Sequence, residues 1–350
     1  MDPAVELQPC WEEGASCGSC EMVLRDNQTI IFSVSDSNTM AGVAIVFSVL
    51  GFLINLLTML GLMFNNKVRQ QITTPYIISV LLSDLLFCTF LLPILATRYY
   101  NRETEAQIWP GFCSLFPFLF FVILGAFILS LMSVTINRTL IIILQERSQK
   151  IINSNVRALV ILLCWVLPVF AMIPALSETY GELGLKPLTQ SCTILPDKLG
   201  RCPKSFIYGV FVFIPIIIMV ICNIIIFVQI KRVSSLRSKE TKSFICSILF
   251  VFLFFLMTIV PSWTVDYVDE CFQNPKSHAI AYIFLWSGSI INPVIFLMTQ
   301  PSYRAAVRGL LCNKLVVAVQ PEQVLQRKSL KMRIKTFRAK RSTTEDKNID

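Results

Sequence analysis

Two ionisable side chains lie where the surrounding sequence offers them little water. Asp84 sits in Leu82-Ser83-Asp84-Leu85-Leu86, and Arg138 ends the run Ser133-Val134-Thr135-Ile136-Asn137-Arg138. A charge buried in such a run is costly, and is kept where it pairs, relays a proton or biases a structural equilibrium. Asn55 and Asn292, each set among apolar residues, are the polar groups that could meet Asp84, with Ser289 just before Asn292. A set of this kind serves either as an interhelical hydrogen-bonded tie or as a hydrated switch. Asn292 is followed by Pro293, and Pro215 and Pro261 interrupt the two preceding apolar runs. Each proline removes one backbone hydrogen bond and creates a point at which a helix can bend. Arg138 alone could equally be a charge anchored at a membrane boundary. The one histidine, His278, has no metal or nucleophile partner in the pattern, so the expectation is no enzyme, no cofactor and no metal.

These residues need elements that carry them through an apolar solvent. Of 350 residues, 54% are hydrophobic and 15% charged, which excludes an ordinary soluble domain. Seven stretches, near 40–64, 75–96, 113–144, 156–176, 205–230, 243–268 and 279–298, are long enough to cross a hydrocarbon core of roughly 30 Å as helices. The expected fold is an all-α bundle of seven transmembrane helices. Residues 1–39 hold seven acids and one base, Arg25, with no pattern of a cleaved signal peptide. The loops and tail on one side of the seven stretches carry 23 of the 31 basic residues. Lysine and arginine stay on the cytoplasmic side, so the N-terminus is expected outside and the C-terminus inside. The net charge of +9 is then the sum of two surfaces beside anionic lipid and not a nucleic-acid signal.

Seven of twelve cysteines fall on the expected outer side, where disulfides form: Cys10, Cys17, Cys20, Cys113, Cys192, Cys202 and Cys271. A bridge between Cys113, at the start of the third stretch, and Cys192, in the long loop before the fifth, would hold that loop over the bundle. The other pairings stay open, with an N-terminal cysteine joined to Cys271 as one alternative. Asn27-Gln28-Thr29 is an outer-side glycosylation acceptor. Past the seventh stretch, Pro301 can start a helix in which Tyr303, Val307 and Leu310 share one side and Arg304 and Arg308 another. This segment, 301–312, reads as a membrane-surface helix, with Cys312 placed for acylation or left as a free thiol. Residues 313–350 are basic, polar and expected to be disordered.

Taken in order, Asn55, Leu82-Ser83-Asp84, Trp109, Cys113, Asn137-Arg138, Trp165, Cys192, Pro215, Pro261 and Asn292-Pro293 resemble the rhodopsin-like G-protein-coupled receptors. The resemblance covers about residues 40 to 312. Within that superfamily the chain is most similar to a group of arthropod orphan receptors, through 82–93, 130–138, Cys202-Pro203-Lys204-Ser205-Phe206 and Leu285-Trp286-Ser287-Gly288. That likeness implies coupling to a heterotrimeric G protein of the inhibitory type, in cell migration or epithelial barrier formation, and a Cys113–Cys192 disulfide. An arrestin and a receptor kinase are implied partners too, the latter acting on tail hydroxyls such as Ser329, Thr336, Ser342, Thr343 and Thr344. The chain departs from the pattern at several places. Thr139 follows the arginine where tyrosine is usual, Asn223 and Phe296 replace tyrosines, and Ile259 stands where helix six carries a tryptophan. Phe127 occupies the place of a serine that often helps the acid hold sodium.

The resemblance implies a two-state bundle in which helix six swings about Pro261, helix seven adjusts at Pro293, and Arg138 meets the G protein. Asn137, Asn223, Asn292 and Phe296 belong to the same switch. With Asn137 in place of an acid, Arg138 is restrained by hydrogen bonds alone, which raises the expected basal activity. Phe120 and Trp286 stand where amine receptors carry an aspartate and retinal proteins a lysine. Phe116, Phe120, Tyr208, Trp263 and Trp286, with Asp266 near the rim, suggest an aromatic pocket for an apolar, lipid-like ligand. A seven-span transporter or channel is the alternative; it would call for repeated halves or a chain of ionisable groups, and neither is present.

Overall fold

Six helices are long and apolar enough to cross a membrane: α1 (Val34–Phe64), α2 (Thr74–Tyr100), α3 (Phe112–Leu144), α4 (Ser154–Leu176), α5 (Phe206–Gln229) and α7 (Lys276–Thr299). Between the last two, α6 (Lys239–Val268) contains a shorter apolar stretch, Leu249–Val265. The seven helices form the expected bundle, followed by a short helix, α8 (Pro301–Leu311). The computed structural model describes residues 34–101, 111–144, 147–186, 191–197, 203–232, 239–268 and 275–311. Asn27, Cys10, Cys17, Cys20, Trp109, Cys202, Cys271, Cys312, the tail hydroxyls and the Asp266 side chain lie outside the described residues. The chain divides into a unit ending at Arg308 and a second, 309–350, of which 309–311 are described as the last turn of α8.

The helix ends follow local chemistry. Asn153 caps α4 by accepting from the Val156 amide at 2.9 Å, and Pro75 sits in the first turn of α2, where its missing N–H is harmless. α1 is already helical at Val34, the first described residue, six residues before the expected start. Outward positions are apolar: Leu53, Phe170, Ile217 and Met257 are each more than half exposed, as lipid-facing side chains are.

α3 is the central pillar, packed against α2, α4 and α5. Its approach to α4 depends on Gly125, where a Cβ would come 2.9 Å from both Cβ and Cγ of Pro168. Three helices are also tied by polar groups: Trp165 Nε1 of α4 donates to Ser79 Oγ of α2 at 3.0 Å, and Ser79 Oγ lies 2.8 Å from Ser130 Oγ of α3. Such ties stabilise because the alternative is an unpaired polar group in hydrocarbon.

Two helices carry one wide π-helical turn, Phe87–Leu91 in α2 and Gly209–Phe213 in α5. Each ends two residues before a proline, Pro93 or Pro215, as expected where the ladder must make room for a ring without an N–H. Pro261 and Pro293 lie inside continuous α-helix, so among the three prolines read as weak points only Pro215 follows a widened turn.

The segment between α4 and α5, read from sequence only as a loop, forms a hairpin. Strand β1 (Glu182–Lys186) pairs antiparallel with β2 (Ser191–Leu195), with Leu185 opposite Cys192. Leu183, Cys192 and Ile194 are buried, and β1 and β2 both pack on α3. Two five-residue strands give too short an alternation to stand out beside the long apolar runs.

Candidate functional site

Pro293 has no N–H to offer the carbonyl of Ser289, four residues earlier in α7. Asn55 supplies the missing donor: its Nδ2 reaches the Ser289 carbonyl at 2.8 Å and the Gly51 carbonyl of its own helix at 2.9 Å. Three residues further along α7, Asn292 Nδ2 donates to Asp84 Oδ2 at 3.1 Å. Asn55 and Asp84, expected as direct neighbours, are therefore joined through α7, at Ser289 and Asn292. All four residues are buried. The Ser289 hydroxyl turns back onto the Trp286 carbonyl at 2.7 Å. In α6, Thr258 and Ser262 donate to the Phe255 and Ile259 carbonyls, both at 2.9 Å, on either side of Pro261.

A cavity of about 40 Å³ opens beside Asp84. Its floor is Ser83, Asp84, Thr258 and Ser289, and its walls include Phe120, Phe127, Phe255 and Ile259. That volume holds roughly two or three waters. Phe127 lines the space, and the oxygens around it are one carboxylate and three hydroxyls that already donate to backbone carbonyls. Phe127 thus brings a ring, not a further oxygen, to the space beside Asp84.

At the far end of α3, about 38 Å along the helix from Cys113 at ~1.5 Å per residue, a second polar group forms. Asn137 is buried and its Nδ2 donates to Thr73 Oγ1 at 2.9 Å. The Arg138 guanidinium and the Tyr303 phenol of α8 are close enough to act on each other electrostatically. Tyr303 Oη lies 3.5 Å from Thr74 Oγ1. Tyr303 is fully buried, and Ala306 and Val307 are buried beside it. The side of α8 read from sequence as resting on lipid is thus turned partly onto the bundle. The reason is Gly61 of α1, which lets Val307 approach so closely that a Cβ there would lie 2.7 Å from Val307 Cγ2. Burial raises the Tyr303 phenol above its ordinary value, with Arg138 and Thr74 opposing that rise.

The family model of seven-transmembrane receptors of the rhodopsin family matches residues 35–296, the whole bundle from α1 to the Asn292-Pro293 turn. The chain is a rhodopsin-family receptor. Receptors of this family bind extracellular ligands and signal through G proteins. Protein trapped in endoderm-1 of Drosophila melanogaster is 27% identical over 295 residues, covering 75% of this chain and 74% of that protein. The G-protein coupled receptor moody of the same species is 24% identical, covering 84% of this chain and 53% of its own length, so the receptor spans about half of it. Melatonin receptor type 1A-A of Danio rerio is 19% identical over 79% of this chain and 81% of its own.

At the other end of the receptor, Cys113 and Cys192 are bonded, with Cα atoms 4.8 Å apart, and the disulfide fastens the hairpin to the start of α3. The aromatic residues read as a pocket divide into groups. Phe116 and Phe120 stack along α3 with centroids 6.4 Å apart, and Phe112, not among the residues read as pocket, continues the series 5.3 Å from Phe116. Tyr208 and Trp263 meet at 6.4 Å, and Trp263 also packs edge-on against Phe213 at 4.4 Å. Trp286 is buried against Tyr99 at 6.2 Å. Of these residues, Phe120 lines the described cavity. Asn223 bonds the Met219 carbonyl of its own helix at 2.9 Å, and Phe296 is packed in the core.

Sequence reading missed Ser79, Ser130, Thr73 and Thr74, because a hydroxyl in an apolar run carries no mark of which helix it faces. It placed Tyr303 on the apolar side of α8, which is where the structure has it, without its partner.

Proposed function

We propose that this receptor lies in the plasma membrane with its N-terminus outside, and that it converts binding of an apolar, lipid-like ligand into activation of an inhibitory-type heterotrimeric G protein. The observation that carries this reading is the separation on one helix of two built ends. The Cys113–Cys192 clamp and its hairpin cover one end, and Arg138 with Asn137 stands at the other. The basic residues favour the Arg138 end as the cytoplasmic one. The aromatic lining between α2, α3, α5 and α6, with the Asp84 cavity beneath Phe120, favours an apolar ligand.

Coupling then follows from a population shift: a ligand binding one arrangement of α6 and α7 better than the other moves the bundle toward it. Pro261 and Pro293 are the turns about which α6 and α7 rearrange, Asn223 and Phe296 line the space that opens, and Arg138 meets the terminal helix of the G protein. In this reading residues 1–39 are extracellular and glycosylated at Asn27, α8 is anchored by acylation at Cys312, and 313–350 is a cytoplasmic tail for a receptor kinase and arrestin. The likeness to protein trapped in endoderm-1 and moody supports this reading. Nucleotide exchange by the purified receptor in lipid discs, against a panel of G proteins and candidate lipids, tests it. Exchange confined to inhibitory-type subunits and enhanced by a lipid supports it, and exchange on another subunit type refutes that part. Epitope tags at the two termini test the orientation, which fails if both are accessible from outside.

A further inference from the structure

The residue beside Arg138 is neutral, and its amide is committed to Thr73 at 2.9 Å. The group that meets the guanidinium comes from α8 instead: Tyr303, whose ring is fully buried. Tyr303 Oη lies 3.5 Å from Thr74 Oγ1, where either oxygen can donate, and because a guanidinium only donates, the phenol oxygen is the atom that would accept from Arg138. The reach of Tyr303 is set one turn further on, where Val307 seats against Gly61 with no room for a side chain between them. The chain also has phenylalanine at position 296, in the Asn292-Pro293 turn, and carries its tyrosine seven residues later, at 303.

We infer that Tyr303 is a positioning residue for Arg138: its phenol holds the guanidinium against the start of α2 in the ligand-free receptor, and G-protein engagement requires Arg138 to leave it. This restraint takes the part that an acid before the arginine would play, and joins the coupling end of α3 to α8. The inference rests on the proposed coupling role of Arg138.

Ligand-free nucleotide exchange at matched receptor amounts in lipid discs is the test. Tyr303→Phe keeps the ring and removes the oxygen, and raises exchange about tenfold, as loss of a hydrogen bond to a charged group does. Adding Asn137→Asp returns exchange toward the wild-type rate, because a carboxylate beside Arg138 supplies the restraint anew. Thr74→Val, which removes only the second bond of the relay, raises exchange about twofold to threefold, and serves where Tyr303→Phe assembles poorly. Unchanged or lowered exchange in both single variants overturns the inference, as does a rise in Tyr303→Phe that Asn137→Asp leaves in place. Arg138→Ala separates the layers: retained exchange there overturns the coupling role itself.

Discussion

Asn55 donates to the Ser289 carbonyl, the one that Pro293 leaves without a helical partner. The contact explains why an amide is buried in α1 opposite a proline in α7. Asn55→Ala leaves that carbonyl buried and unpaired, at a cost of about 1–3 kcal/mol, and lowers the melting temperature of the solubilised receptor by several degrees. Pro293→Ala restores the α7 bond, so the double variant loses less than the sum of the two single ones. Simple additivity of the two melting shifts would contradict the assignment.

The neutral side chain before Arg138 makes a second prediction. Asn137→Asp places a carboxylate beside Arg138 and lowers ligand-free G-protein turnover severalfold while leaving surface expression intact. Equal turnover in the two proteins would show that Arg138 is held as well without the charge.

Gly61 determines how closely α8 sits on α1. Gly61→Val forces Val307 outward, and overpacking of this kind costs about 1–3 kcal/mol. The variant melts lower than wild type and raises ligand-free exchange, since Tyr303 moves with α8. Val307→Ala added to it reverses part of both effects. A Gly61→Val receptor with wild-type melting and wild-type basal exchange would remove this contact from the account.

Tyr303 makes a pH prediction whose sign follows from its burial. The phenol is held above its ordinary value, so the folded state binds that proton more tightly than the unfolded state. Its contribution to stability is fully present below the ordinary phenol value near 10 and is lost as pH rises through the higher folded value. Basal exchange therefore shows no inflection from this group between about pH 6 and 9. An inflection in that window that disappears in Tyr303→Phe would contradict the environment described for it.

The seven spans were legible because lipid demands long apolar runs, and Asp84, Arg138, Asn55 and Asn292 stood out as polar residues within them. The disulfide between Cys113 and Cys192 was legible through family resemblance. The pairing of Asn55 with Ser289 was not, because it is made to a backbone carbonyl that only the effect of Pro293 exposes. Nor was the contact between Arg138 and Tyr303, which depends on a glycine in α1 that reads as an ordinary small residue. The hairpin was hidden for another reason: ten residues of weak alternation are indistinguishable from loop until β1 and β2 pair over α3.

Arg138, at the end of α3 opposite the disulfide, is proposed as the group through which the bundle acts on a G protein. Nucleotide exchange by the reconstituted receptor, wild type against Arg138→Ala at equal amounts and equal melting temperature, measures it directly. Wild type is expected to show exchange above the G protein's own rate, and Arg138→Ala to lose that excess by at least about tenfold. Undiminished exchange in the alanine variant would contradict it.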